Sequence, residues 1–201
     1  LGFIGQIIRA WLQARWPRQY EAHTELKREA ALLSARMQST LAEIAVFRDE
    51  TVRLLYAAMR QLIAARSLGP SAELARAYAL MANMLAVIPM RKTCNAWCDR
   101  SLEMVEEHGT RLDKAWVYCR AACYKAFVVD WAAMDRLIPE GAAIAEEIGD
   151  RRLYEEAIVS LGVLGLARGR YESAEQALLR TIQSSLASGN AQSNTWAKLH
   201  L

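Results

Sequence analysis

Four cysteines are the first residues in this sequence that could do chemistry. Cys94 and Cys98, and Cys119 and Cys123, form two pairs at i,i+4 spacing, so each pair shares one face of a helix. On two consecutive antiparallel helices the thiols could converge into a tetrahedral zinc site. Structural zinc sites, however, space their cysteines by about two to four residues on a turn, whereas both pairs here lie inside helical patterns. Cys94 and Cys98 also stand on an apolar stripe, where a thiol acts as a small hydrophobe. Cys119 and Cys123 fall on a different face. The pattern favours inert thiols in a core or groove over a metal or redox centre. Nor are four cysteines in 201 residues a disulfide scaffold, which suits a reduced, cytoplasmic setting.

No other residues assemble into a catalytic pattern. His23, His108 and His200 are scattered at helix ends or in polar surroundings, and His108 beside Gly109 suits the negative end of a helix dipole. Glu106-Glu107, Glu146-Glu147 and Glu155-Glu156 are adjacent carboxylates. Neighbours on a helix diverge by about 100°, so these read as solvated surface rather than as an acid/base pair. Residues Gly162 to Gly169 lack the GK[ST] ending of a phosphate loop and fall inside a helical pattern. No catalytic residue and no cofactor are predicted.

The elements that must carry these residues are helices. Apolar residues make up 53% of the chain against 10 Gly and 4 Pro, enough for a core without frequent breaks. With 25 basic and 22 acidic residues interspersed, no basic stripe marks a nucleic-acid partner. The apolar start, Leu1 to Ile8, is interrupted by Arg9 and is too short to span a bilayer. Glycines at 69, 109, 149 and 189 recur every 40 residues. Glycine just past a helix end can take the left-handed conformation that closes the last turn. Between them lie two stripes per interval. Leu74, Tyr78, Met81 and Leu85 mark a helix over 73–87, and Cys94, Trp97, Cys98, Leu102 and Val105 mark one over 90–107. Stretches 153–167 and 171–186 repeat the arrangement. Helix pairs should therefore meet near 48–51, 88–90, 128–131 and 168–171. Neither helix buries its stripe alone, so stacked pairs must supply the core.

Residues 161–178 resemble a tetratricopeptide repeat: Leu161-Gly162 in the first helix, Gly169 and Tyr171 at the turn, Ala174 and Leu178 in the second. Steps of 40 place Ala122, Trp131, Met134 and Ile138, then Met81-Ala82, Cys94 and Cys98, then Leu41-Ala42, Leu54 and Ala58 at matching positions. The repeat is longer than the usual tetratricopeptide, as in MalT-type regulators. The region resembles the helical segments of large bacterial signalling proteins, among them class III adenylate/guanylate cyclases and ATPase-coupled regulators. The stretches from Phe47 to Tyr56 and from Leu68 to Tyr78 carry that likeness. It implies an all-α, right-handed α-α superhelix of about four helix pairs, with flanking helices over 1–34 and repeats at 35–69, 70–109, 110–149, 150–189 and, in part, 190–201. A chain that begins without Met and ends inside a helical pattern reads as a segment of a larger protein.

The resemblance also implies a concave groove lined by the first helix of each pair. Its register puts Arg36, Glu43, Arg76, Asn83, Trp116, Cys119, Cys123, Phe127, Glu156, Val163 and Trp196 there. Trp116, Phe127 and Val163 would make its middle apolar, suited to a helix or extended peptide anchored by apolar side chains. Ser39/Glu43 and Ala79/Asn83 stand where a chaperone-binding clamp needs Lys and Asn, which disfavours that partner. The expected function is a non-catalytic protein–protein interaction scaffold. A small-molecule sensor using the groove is the alternative, ahead of a thiol module.

Overall fold

The computed structural model describes residues 24–48, 50–87 and 89–201, with a few scattered positions before Thr24. Of the flanking segment expected over 1–34, most of the part before Thr24 lies outside the described residues. Among the described residues nine helices form and no strand: α1 (Glu25–Phe47), α2 (Thr51–Leu68), α3 (Ala72–Met84), α4 (Arg91–His108), α5 (Arg111–Phe127), α6 (Trp131–Glu147), α7 (Arg151–Ala167), α8 (Tyr171–Ser188) and α9 (Ala191–His200). The chain divides into two compact units, Leu1–Gly109 and Thr110–Leu201.

In the first unit, α1 begins where the Thr24 hydroxyl accepts the Lys27 N–H and runs unbroken through residues 34 and 35. α3 starts in the same way, with Ser71 accepting from Leu74. It is shorter than the 73–87 stripe, ending at Met84 with the Leu85 N–H bonded to the Met81 carbonyl; Pro89 follows, and proline cannot continue a helix. The paired helices close on small buried residues, among them Ala58, Ala75, Ala82, Cys94 and Cys98. Tyr78 of α3 stacks on Trp97 of α4 at 6.1 Å.

The second unit is more regular. A capping box joins Thr110 and Asp113 at the start of α5. Each following joint repeats one geometry at 20-residue spacing: Val129, Gly149, Gly169 and Gly189 have φ of 66°, 73°, 71° and 74°. After each of the four, the next N–H reaches back to the carbonyl five residues earlier, Asn190 to Ser185 at 3.0 Å in the last. Asp130 bonds Lys125 at 2.8 Å, Asp150 bonds Ala145 at 2.9 Å and Arg170 bonds Gly165 at 2.9 Å, the Schellman pattern that satisfies end-of-helix carbonyls. Asp130, Asp150 and Asn190 then cap the next helix with their own side chains. The expected role of the four period-marking glycines needs one correction. Gly109 sits at φ −87°, ψ 147°, an extended conformation, because the chain passes straight into the Thr110 cap.

Small residues again set the approach of paired helices. A Cβ built on Gly162 would lie 2.7 Å from Leu178 Cγ, so α7 and α8 cross where the sequence supplies a glycine. Ala122, Met134, Leu137, Ile138, Leu153 and Leu178 are fully or almost fully buried around this axis.

Candidate binding pocket

The second unit contains a pocket of about 450 Å³. Helix α5 contributes Cys123, Ala126 and Phe127, its last turn; α6 contributes Trp131, its first residue. Helix α7 supplies Val159, Ser160, Val163, Leu164 and Ala167 at helical spacing. Helix α9 closes the ring with Trp196 and His200, one turn apart. Phe127 is 59% exposed and Trp196 37%, so both rings stand at the rim while the aliphatic residues form the floor.

The polar groups at this site are engaged or neutral. The Ser160 hydroxyl donates to the Glu156 carbonyl at 2.7 Å. His200 places Nδ1 2.8 Å from the Trp196 carbonyl; a carbonyl only accepts, so Nδ1 carries the proton. Burial pushes the Cys123 thiol up, and the nearby Arg120 guanidinium offsets this only in part. Trp131 is fixed from behind by the Arg168 guanidinium, 5.1 Å from its ring. Arg168 pairs with Asp135, which Arg170 also reaches at 3.3 Å. Burial alone would raise the Asp135 carboxyl, but the hydrogen bonds and charge of these two arginines hold it below the usual carboxylate range. The arrangement is suited to holding apolar matter against aromatic rings.

No protein-family model and no curated protein matches this chain.

Of the eleven residues expected to line a groove, the structure brings Cys123, Phe127, Val163 and Trp196 together at this pocket. Trp116 is 4% exposed, with the Arg120 guanidinium 5.3 Å from its ring; it is a core side chain and not a surface anchor. Cys119 is buried where α5 passes the glycine of α6, its Sγ 3.1 Å from the position a Cβ on Gly141 would take. Burial pushes its thiol up to about 12. Glu156 is buried as well, accepting from Arg120 at 2.9 Å and Arg152 at 3.3 Å. Arg36, Glu43, Arg76 and Asn83 belong to the first unit, where exposed Arg36 pairs with Glu73 at 2.9 Å and the other three are half-buried.

One expectation about chemistry is overturned. Glu155 and Glu156 are not solvated surface. Glu155 is fully buried, and its carboxylate accepts from Ser184 at 2.7 Å, Ser188 at 2.8 Å and Asn190 at 2.7 Å. It joins α7 to the end of α8 and to the residue that caps α9. Of the two cysteine pairs, Cys94, Cys98 and Cys119 are buried and Cys123 half-buried. Among the described residues no three His, Cys, Asp or Glu side chains are grouped as a metal site would need. No described helix is long and apolar enough to cross a membrane.

Proposed function

We propose that this chain is a non-catalytic binding module and that the pocket of its second unit receives an apolar side chain of a partner polypeptide. The observation that carries this reading is the exposure of Phe127 and Trp196 at the rim of an apolar recess. Partly exposed aromatics around a pocket are what interfaces use as anchors, because their burial on association releases the most apolar area. The 40-residue helix pairs support a scaffold role within a larger signalling protein of the kind the sequence resembles.

Selection from a random peptide library tests this. The reading expects enriched peptides to share an apolar anchor and to lose binding to the Phe127→Ala/Trp196→Ala variant, by about 2–4 kcal/mol per strong anchor. That variant should melt within a degree or two of the parent, since the rings support little core. By contrast, Leu178→Ala should lower stability by about 2–5 kcal/mol. Enriched peptides that bind the double variant undiminished would sink the reading. The pocket's size favours one second reading: about 450 Å³ lies within the ~300–1,000 Å³ typical of small-molecule sites. A thermal-shift screen with apolar aromatic compounds separates the two, since only a sensor would gain stability from a free compound and lose that gain with Trp196→Ala.

A further inference from the structure

We propose that the first unit carries a second, unrelated binding site: a basic cavity for a small multivalent anion of the phosphate class. A cavity of about 450 Å³ lies beside α1 and α2 and takes three cations into its lining: Arg9, Lys27 and Arg60. Gln6, Ser34 and Ser67 add amide and hydroxyl groups, and among the described residues no Asp or Glu lines it. None of the three cations has a carboxylate partner among the described residues. Among the described residues the Arg60 guanidinium lies 6.0 Å over the Tyr56 ring, a contact that does not neutralise it. By contrast, Arg36, Arg53 and Arg120 each pair with a carboxylate.

The cavity is built, not a chance gathering of long surface side chains. Gln6 is 3% exposed. The Ala22 N–H donates to the Ser67 carbonyl at 2.9 Å, tying the segment before α1 to the last turn of α2. The Ser67 hydroxyl donates to Ala64 and so is already engaged, leaving Ser34 and Gln6 as the neutral donors.

Three like charges held around one recess repel each other, and an anion at their centre removes that cost while gaining charge-assisted hydrogen bonds. Two guanidinium forks and an ammonium supply donors for several oxygens of one multiply charged oxyanion. The volume exceeds what one inorganic phosphate fills, so the site suits a diphosphate or a phosphorylated small molecule.

Inorganic pyrophosphate is the probe, titrated calorimetrically into the whole chain at fixed ionic strength, with inorganic phosphate and an organic phosphomonoester, glycerol phosphate, as comparators. Pyrophosphate should bind saturably at one site and more tightly than inorganic phosphate. Lys27→Gln/Arg60→Gln should weaken it about tenfold or more, the equivalent of one charge-assisted hydrogen bond. Lys92→Gln/Arg100→Gln removes the same charge from exposed positions on α4 and should leave binding unchanged. If Arg60→Gln destabilises the chain through its Tyr56 contact, Arg9→Gln/Lys27→Gln carries the same expectation from two exposed side chains. Glycerol phosphate binding as tightly as pyrophosphate would identify a phosphorylated metabolite as the ligand class. Absence of saturable binding, or equal weakening in the α4 control, would overturn the proposal, because the attraction would then be that of net charge alone.

Discussion

The two units solve the same packing problem with different joints and enclose different cavities. Both bury small residues where paired helices meet. In the first unit the joints differ from one another: Gly69 closes α2, while a turn over 85–87 and Pro89 separates α3 from α4. In the second, one closure recurs at 129, 149, 169 and 189. One cavity of the first unit takes cations into its lining and, among the described residues, no carboxylate; the pocket of the second is lined by aromatic and aliphatic groups, and the buried carboxylates Glu155 and Glu156 of that unit are hydrogen-bonded. Helix-pair architecture therefore fixes where recesses form, and the side chains at a few positions decide what they hold.

That contrast can be broken most severely at the α7–α8 crossing. Gly162→Leu must push α8 away from α7, and a cost of about 3 kcal/mol or more is expected in chemical denaturation. A melting curve like the parent's would mean the crossing is not the tight point of the second unit. Next in size is Glu155→Ala, which strands three polar groups and should cost about 2–3 kcal/mol. Removing an exposed carboxylate such as Glu103 should change stability by less than about 0.5 kcal/mol. Equal effects would show that burial of Glu155 contributes nothing particular.

A smaller effect tests the repeated joint. Val129 holds a left-handed conformation that costs a β-branched residue about 1–2 kcal/mol, at 64% exposure and so with little packing to lose. Glycine recovers that strain but loses more chain entropy on folding, so Val129→Gly should stabilise by a net of about 0.5–1 kcal/mol. Gly169→Val, the same joint 40 residues on, should destabilise. If the signs are reversed, the two joints are not equivalent.

The gentlest test is alkaline pH. Burial raises the Cys94, Cys119 and Cys123 thiols in the folded chain, with Cys119 at about 12. A raised folded value gives stability that is complete below the unfolded thiol value of about 8.5. It is lost as pH rises from there towards the folded values, because the unfolded chain sheds protons that the folded chain keeps. Stability should therefore fall progressively above about pH 8.5, and Cys119→Ser should flatten part of that decline.

The 40-residue period was legible because glycine suits the positive φ found at Gly69, Gly149 and Gly189, although Gly109, in the same series, is extended. The 20-residue spacing beneath it was hidden by Val129, which adopts the same conformation without advertising it. Phe127, Val163 and Trp196 followed from register alone, since they lie on α5, α7 and α9 at positions that face one pocket. Trp116 did not, although it sits three turns from Phe127 on α5: Arg120, one turn on, lies over its ring and is held there by Glu156 of α7, 36 positions away, a contact that local spacing does not encode. Glu155 was misread for the same reason. Adjacent glutamates on a helix suggest solvent, and the donors that make burial tolerable come from residues 184 to 190, some 30 positions away.

The Glu155 cluster has a kinetic consequence. Helix α9 spans ten residues, too few to persist alone in water. Its cap, Asn190, is held by a carboxylate rooted in α7. Opening α9 therefore requires breaking a buried charge-assisted bond as well as exposing Ala197. Amide hydrogen exchange should then report α9 opening together with the end of α8, as one cooperative unit and not as a loose tail. Because Trp196 rides on that helix, the lifetime of one pocket wall is set by a carboxylate that never enters the pocket.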